Sequence, residues 1–354
     1  RQRQMCIRDS EDAEGWSLNA GQTALAQHLI GAGTLLAAGV GPAGTGKTAS
    51  MKVVARTWQH TGRSVIGLAP SAAAASVLAG DIGTDCHTID SLTFTWLGRH
   101  PNLPGKSLDA LPVTITPGDM LLVDEAGMAS TENLAALTEI AAESGAILRL
   151  IGDPKQLAAV ETGGLFADLT RTPGTVELRE VMRMGADTDQ AGATLALREG
   201  DPGALALYNE RGWITGGHRE QMLTEAAQAF LADTTAGRQA LIIASTNADV
   251  DTLNEVIRSS RIADGLVDDA HTTRVARGDT VGVGDTVIAR TNSTLYTGDC
   301  TYLGRVINGQ LFTVTGIADD GSLGVRDSST GQAMLIPASY AGKHIHLSLI
   351  HISE

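Results

Sequence analysis

The sequence predicts an α/β fold with a mostly parallel sheet, a second α/β segment after it and a small β-rich region near the end. Short apolar runs alternate with helix-patterned stretches over residues 16–173, which is typical of βαβ units. Several of these runs end directly in glycine or polar residues, as strands do at the carboxyl edge of a parallel sheet. From Thr280 onward, apolar and polar residues alternate between glycine turns, which indicates a small β-barrel or a β-rich insertion.

Each predicted element rests on its hydrophobic spacing and on the residues at its ends. Asn19 is a suitable N-cap for the first helix, and Pro70 ends the second strand. In the first segment we expect strands at 34–40, 64–69, 119–123 and 146–151, and helices at 19–30, 49–59, 71–78, 88–96 and 131–143. In the second segment we expect helices at 187–199, 204–208, 219–233 and 248–262, a strand at 239–244, and β structure at 280–290 and 308–336.

The composition limits the partners of the chain. Its net charge of −14 excludes a surface coated in basic residues, but a local groove can still hold one nucleic-acid strand on an acidic body. The three cysteines show no metal-ligand spacing, so we expect a reducing, cytoplasmic setting without disulfides. No apolar run is long enough to cross a membrane, and no membrane partner is expected.

The predicted domain boundaries follow the changes in pattern. At 354 residues the chain has room for two or three domains. We place a first domain at 16–173, the start of a second domain at 174–277 and a β-rich insertion at 278–340. Residues 1–15 and 341–354 do not continue the pattern of their neighbours, and we interpret both as non-native tails.

The residues after the first predicted strand fit G-x-x-x-x-G-K-[ST], the phosphate-binding loop, and a helix pattern follows them. Glycines let backbone N–H groups close around phosphate oxygens, and the helix points the positive end of its dipole at them. We therefore predict that nucleotide phosphates bind here, with Lys47 at the β- and γ-phosphates and Thr48 at Mg²⁺. The predicted loop residues are Gly41, Pro42, Ala43, Gly44, Thr45, Gly46, Lys47 and Thr48.

Two later predicted strands also end in residues suited to nucleotide chemistry. Asp124 would bind Mg²⁺, and Glu125 would orient or deprotonate the attacking water. Asp153 and Gln156 follow the next strand, and the Gln156 amide can bind both a γ-phosphate and that water. A solvated acidic turn and a tight surface turn are the structural alternatives.

The motifs GPAGTGKT, DEAGM and GDPKQLAAV occur in this order after an LNAGQ segment. In this combination the chain resembles superfamily 1 DNA helicases over residues 16–340, in particular the RecD-like (exonuclease V alpha-subunit-like) branch and the helicase part of TraA/TrwC-type (MobF) conjugative relaxases. The resemblance implies an α/β P-loop NTPase fold with two RecA-like parallel-sheet domains and a small SH3-like β insertion. It also implies ATP and Mg²⁺ as cofactors, single-stranded DNA as partner, and 5′-to-3′ movement driven by ATP hydrolysis.

The resemblance assigns further roles to single residues. Gln22 matches a glutamine that recognises adenine, and a glutamine of a first helical turn is the structural alternative. Arg183, in LREVMR, matches an arginine that reaches the γ-phosphate from the second domain, and it is preferred to Arg179 because it ends the segment. The implied catalytic set is Lys47, Glu125, Gln156 and Arg183. The implied DNA contacts are Pro70, Ser71, Thr88, Thr246 and Asn247, of which the hydroxyl and amide residues are also suited to cap helices.

The sequence departs from the family in one respect. Family members continue into a motif of the type G-Y-A-x-T-x-H-x-x-Q-G and a later arginine motif, and they carry an upstream relaxase domain, none of which the sequence contains. We therefore expect an internal piece of a larger protein, with a relaxase domain as its neighbour. Two alternatives stay open, namely a nucleotide-gated DNA-binding module with little turnover and a P-loop kinase of a small molecule.

Overall fold

The computed structural model describes residues 17–156, 164–185, 187–238, 240–298, 300–348 and 351–352. The chain divides into two compact units, and the division falls between Trp213 and Ile214. No helix in these described ranges is long and apolar enough to cross a membrane.

The first unit is built on a parallel sheet of six strands in the order β3-β2-β4-β5-β1-β6. The strands are β1 Leu36–Val40, β2 Val65–Ala69, β3 Cys86–Thr88, β4 Met120–Val123, β5 Ile147–Gly152 and β6 Val176–Glu177. The helices are α1 Ala20–Gly31, α2 Lys47–Gln59, α3 Ala72–Ile82, α4 Ile89–Trp96, α5 Thr131–Ser144, α6 Leu165–Thr170, α7 Thr188–Arg198 and α8 Leu205–Glu210. This architecture confirms the predicted α/β P-loop fold.

Two hydrophobic cores cover the two faces of the sheet. One core packs α1, α2 and α3 against the sheet through residues such as Leu25, Met51 and Leu78. The other packs α4, α5 and α6, with Trp96 and Leu137 fully buried. Because both faces are covered, β2 and β4 are apolar throughout and do not alternate.

Polar residues define where the helices begin and end. Ser71, Thr88 and Ser130 each accept a hydrogen bond from the backbone N–H three residues later, which caps α3, α4 and α5. Arg149 is fully buried in β5, and its guanidinium donates to the carbonyls of Leu29 at 2.6 Å and Ala32 at 2.9 Å. It thereby satisfies backbone carbonyls that the end of α1 leaves without a partner.

The first unit extends past the predicted domain boundary at 173. Strand β6 pairs in parallel with β1 at Gly39 and Val40, and α7 and α8 belong to the same unit. Without β6, strand β1 would be an unpaired edge of the sheet, which explains why the chain continues into this unit.

The second unit combines three described α-helices with β structure. Its helices are α9 Arg219–Thr235, α10 Asn247–Ala263 and α11 Ala338–His344. Its strands are β7 Ile243–Ala244, β8 Thr272–Arg274, β9 Thr280–Gly282, β10 Thr286–Ala289, β11 Ser293–Tyr296, β12 Tyr302–Val306, β13 Leu311–Ile317, β14 Leu323–Asp327, β15 Ala333–Ile336, β16 Ile345–Leu347 and β17 His351–Ile352. An antiparallel sheet in the order β15-β14-β13-β10-β16 forms its main body, as the period-two pattern predicts.

The predicted tail at 341–354 contains regular structure, and its non-native origin stays a prediction. Residues 345–347 form β16, which pairs with β10, and Ile345 is fully buried in the core of the antiparallel sheet. Strand β7 is shorter than the predicted strand at 239–244 and pairs in parallel with β17. The predicted tail at 1–15 lies outside the described residues.

Candidate functional site

The phosphate-binding loop lies between β1 and α2, as the sequence predicts, at the carboxyl edge of the parallel sheet. Gly46 has a φ of 80°, and a Cβ there would lie 2.2 Å from Nε2 of Gln22. A side chain at this position would be strained and would collide with α1. The hydroxyl of Thr45 donates to the carbonyl of Pro42 at 2.7 Å and closes the loop. No side chain caps the first turn of α2, so its N–H groups are available to an anion.

The loop lysine is directed at the two acids that follow β4. Nζ of Lys47 donates to the Glu125 carboxylate and lies 3.7 Å from Oδ1 of Asp124. In the sheet, β5 separates β1 from β4, so the lysine reaches across one strand to meet the acids. The structure therefore brings together three residues that the sequence predicts for one site.

The environment of Asp124 shifts the pKa of its carboxyl group. Burial raises the pKa of Asp124 above its ordinary value, and the Lys47 ammonium offsets part of that effect. The N–H of Glu125 donates to Oδ1 of Asp124 at 2.9 Å and fixes the carboxylate. Glu125 itself has a φ of 50°, a left-handed backbone that non-glycine residues rarely adopt and that is concentrated at functional sites.

The donor set at this edge fits Mg²⁺ that arrives with a nucleotide. Asp124 supplies a carboxylate and Thr48 a hydroxyl, which are the hard oxygen donors that Mg²⁺ prefers. Within the described part of the chain, no group of three or more His, Cys, Asp or Glu residues could hold a metal ion. Mg²⁺ usually takes one or two protein oxygens and completes its shell with phosphate oxygens and water, so two donors suffice.

Asp153 follows β5 and is held by Arg198, a residue that sequence reasoning missed. Nη2 and Nε of Arg198 donate to the two carboxylate oxygens of Asp153 at 2.7 and 2.9 Å. Burial alone would raise the pKa of Asp153, but hydrogen bonds from Arg198 and from the N–H of Lys155 hold it below its ordinary value. Nε2 of Gln156 lies 3.4 Å from Oδ2 of Asp153. The rest of the predicted motif, Leu157 to Val160, lies outside the described residues.

Residues 178–183 lie on the phosphate-binding loop. The N–H groups of Met182 and Arg183 donate to the carbonyl of Gly44 at 2.7 and 3.1 Å. The resemblance places this arginine on the second domain, whereas β6 carries the segment to the loop from the sheet of the first unit. The Arg183 side chain is exposed beside the loop, and Arg179 pairs with a surface glutamate. The role of Arg183 at a γ-phosphate stays a prediction.

Gln22, the predicted adenine-recognising residue, makes contacts inside the protein. Its Oε1 accepts from the N–H of Asn19 at 3.0 Å, and its own N–H donates to Oδ1 of Asn19 at 2.8 Å, which forms a capping box. Its Nε2 donates to the carbonyl of Thr45 at 3.1 Å. The Asn19 amide also donates to Glu180 at 2.8 Å. The start of α1 therefore contacts both the phosphate-binding loop and the segment 178–183. The adenine contact of Gln22 stays a prediction.

The predicted DNA contacts in the first unit lie at neighbouring strand ends. Ala69 pairs with Thr88 in the β2–β3 ladder, so Pro70, Ser71 and Thr88 meet at the same edge as the phosphate-binding loop. The hydroxyl of Ser71 accepts from Ala74 N at 3.2 Å, and that of Thr88 accepts from Ser91 N at 3.1 Å. Both residues cap helices, and each hydroxyl keeps one O–H to donate to a ligand.

The other two predicted DNA contacts belong to the second unit. Thr246 and Asn247 follow β7 and are exposed. The Thr246 hydroxyl accepts from the N–H of Asp249 at 3.1 Å and donates to its carboxylate at 2.6 Å. Thr246 therefore begins α10 as an N-cap, and Asn247 is the first residue of that helix.

A family model described as "AAA domain" matches residues 17–219. The chain is 31% identical to "Conjugal transfer protein TraA" of Agrobacterium fabrum over 266 residues, which cover 73% of this chain and 23% of that protein. It is 32% identical to "RecBCD enzyme subunit RecD" of Mycolicibacterium smegmatis over 39% of this chain and 25% of that protein. It is 30% identical to "ATP-dependent RecD2 DNA helicase" of Deinococcus radiodurans over 48% of this chain and 22% of that protein. The chain spans about a quarter of the length of these relatives.

Proposed function

We propose that this chain, which belongs to the AAA domain family and to the RecD-like group of superfamily 1 helicases, is an ATP-driven motor that moves 5′ to 3′ along single-stranded DNA. The observation that supports this proposal most directly is the meeting of Lys47 with Asp124 and Glu125 at the carboxyl edge of the sheet. A nucleotide bound at the loop would present its phosphates to all three residues.

Each residue has a separate task in this proposal. Lys47 and the N–H groups of the first turn of α2 neutralise phosphate charge. Asp124 and Thr48 hold Mg²⁺, and Glu125 takes a proton from the attacking water. Bound ATP supplies the phosphoanhydride bond whose hydrolysis drives the cycle.

The single-stranded DNA partner is proposed from the other strand ends of the same edge. Ser71 and Thr88 would donate hydrogen bonds to phosphate oxygens, which positions a strand without reading its sequence. In the second unit, the exposed residues Thr246 and Asn247 would contact the same DNA strand. Because one relative is a conjugal transfer protein, we also propose that the motor works in the cytoplasm beside a relaxase domain.

The first test is ATP hydrolysis with and without oligo(dT), on the wild-type chain and on Lys47→Ala. We expect turnover that rises with DNA and falls by roughly 100-fold or more in Lys47→Ala, because the lysine acts on charge that develops in the transition state. Lys106→Ala removes an exposed lysine that pairs with Glu139 and is the matched control, with wild-type turnover expected. Turnover that survives Lys47→Ala would contradict the proposed site.

Two other outcomes would favour the alternatives. Mg²⁺-ATP binding that Lys47→Ala abolishes, without turnover in the wild type, would indicate a nucleotide-gated binding module. Turnover stimulated by a small acceptor but not by oligo(dT) would indicate a kinase.

The direction of movement is tested by displacement of streptavidin from biotinylated oligonucleotides. Movement from 5′ to 3′ requires faster displacement from the 3′ end than from the 5′ end.

A further inference from the structure

A buried ion pair between Asp153 and Arg198 joins parts of the first unit that lie on either side of β1, the strand that leads into the phosphate-binding loop. The Asp153 side chain is 1% exposed and the Arg198 side chain 11%. All three guanidinium nitrogens of Arg198 are used, since Nη1 also lies 3.2 Å from Oε1 of Glu177 and 3.2 Å from Oε1 of Glu199. Arg198 is the last residue of α7, so the helix ends in a cation that is fixed in place.

The strand order shows which elements this ion pair connects. Asp153 follows β5 and Glu177 ends β6, and these two strands flank β1 in the order β5-β1-β6. Arg198 therefore connects the two neighbours of the strand that leads into the phosphate-binding loop. The loop touches the same tip of β5, because Gly41 N donates to the carbonyl of Gly152 at 3.0 Å.

Both ends of this bridge lead to residues predicted to face the γ-phosphate. On one side, Asp153 accepts from Lys155 N at 3.0 Å and from Nε2 of Gln156 at 3.4 Å, so it orients the turn that carries Gln156. On the other side, β6 continues directly into the segment 178–183, which is hydrogen-bonded to the carbonyl of Gly44.

We propose that Arg198 is a positioning residue that holds the Gln156 turn and the 178–183 segment in register around the γ-phosphate. This inference rests on the proposed ATP hydrolysis and names a residue that supports it without touching the nucleotide. Arginine is required here, because its planar fork makes two parallel bonds to one carboxylate and still reaches Glu177. A lysine supplies one point charge and cannot hold both strands.

The test separates positioning from simple stabilisation with a double-variant cycle. Arg198→Met leaves the Asp153 carboxylate buried without its ionic partner. Asp153→Asn removes the carboxylate that binds Nε and Nη2 of Arg198 and leaves the cation with Glu177 and Glu199 alone, so we expect both single variants to melt at lower temperature. The double variant removes both charges, and its melting temperature is expected to return towards the wild-type value. If Arg198 positions Gln156, the double variant keeps a kcat for ATP hydrolysis about 10- to 100-fold below the wild-type value, although its stability is restored. Its KM for ATP then differs from the wild-type value by less than about threefold.

A matched control uses the other end of the same helix. Arg211 forms a similar two-bond pair with Asp187, the N-cap of α7. Arg211→Met is expected to lower the melting temperature and to leave kcat within about twofold of wild type, since it removes an anchor of α7 without releasing Asp153. Arg198→Lys is expected to keep most of the stability and to show the same kcat loss as the double variant.

A second readout does not depend on turnover. Mg²⁺-ADP binding is compared with binding of Mg²⁺-ADP–aluminium fluoride, which mimics the transferring phosphoryl group. We expect the double variant to bind ADP as the wild type does and to lose about tenfold or more of its affinity for the fluoride complex. A kcat or a fluoride affinity that recovers together with the melting temperature would overturn the inference, because the pair would then only stabilise the fold. A wild-type chain that hydrolyses no ATP would instead count against the proposed function.

Discussion

Gln22 provides the sharpest test of a role implied by family resemblance. The resemblance assigns adenine recognition to it, whereas in the structure both ends of its amide are bonded to protein atoms. Oε1 completes the capping box of α1 with Asn19, and Nε2 donates to the carbonyl of Thr45 in the phosphate-binding loop. We therefore expect Gln22→Ala to act first on the stability of the loop and only then on nucleotide affinity.

The magnitude follows from the two hydrogen bonds. Gln22 is 6% exposed and Thr45 is fully buried, so removal of the Gln22 side chain leaves the half-buried N–H of Asn19 and the buried carbonyl of Thr45 short of a partner. Two such losses, at about 1–2 kcal/mol each, predict a decrease of about 3 kcal/mol in the free energy of unfolding. For a unit of this size, that decrease corresponds to a melting temperature lower by roughly 6–12 °C.

Gln22→Glu is the matched variant, because it separates the two bonds. A carboxylate keeps the acceptor for the N–H of Asn19 but places an acceptor against the carbonyl of Thr45. The assay is thermal unfolding together with the affinities for Mg²⁺-ATP and Mg²⁺-GTP. We expect both affinities to fall by the same factor in each variant. A loss of preference for ATP over GTP with an unchanged melting temperature would refute this reasoning and support adenine recognition.

Two further predictions concern buried charge. Chemical denaturation of Arg149→Met should show a free energy of unfolding lower by at least about 3 kcal/mol, because carbonyls at the end of α1 lose their donor. Arg99 is exposed, so the control Arg99→Met should change the free energy of unfolding by less than about 1 kcal/mol. An Arg149→Met variant as stable as the control would contradict this account. Burial raises the pKa of Asp124, and only the ionised carboxylate binds Mg²⁺. As the pH is lowered, the affinity for Mg²⁺-ATP, measured by calorimetry, should therefore begin to fall at a higher pH than it would if Asp124 had the ordinary pKa of an aspartate. Asp124→Asn should remove that dependence, and a variant that keeps it would show that another group titrates.

Local signals were sufficient to predict the four longer strands of the first unit, β1, β2, β4 and β5. Apolar runs buried on both faces predicted strands such as Val65–Ala69 and Met120–Val123 within one or two residues. The motifs that follow β1 and β4 predicted that Lys47 meets Asp124 and Glu125, because the carboxyl ends of parallel strands share one edge. The binding of a nucleotide there stays a prediction. These features depend on neighbours in sequence and on one general rule of topology.

Features that depend on contacts between distant residues were not predictable in this way. The Asp153–Arg198 pair joins positions 45 residues apart, and no spacing rule connects them. Strand β6 has two residues, too short for a periodic signal, so the domain boundary at 173 was placed before it. The local sequence around Ile345 does not indicate its pairing with β10, because the other strands of that antiparallel sheet come earlier in the chain.

The hydrogen bonds at the sheet edge restrict how the proposed nucleotide and DNA sites can communicate. The N–H of Asp124 donates to the carbonyl of Leu68 at 2.8 Å, and Pro70 and Ser71 follow Leu68 almost immediately. The ends of β4 and β2, which carry the proposed Mg²⁺ and DNA contacts, are therefore joined by hydrogen bonds and can move relative to each other only by breaking buried ladder bonds. It follows that stepping on DNA would have to use parts outside this ladder, such as the 178–183 segment that lies on the loop through two backbone bonds.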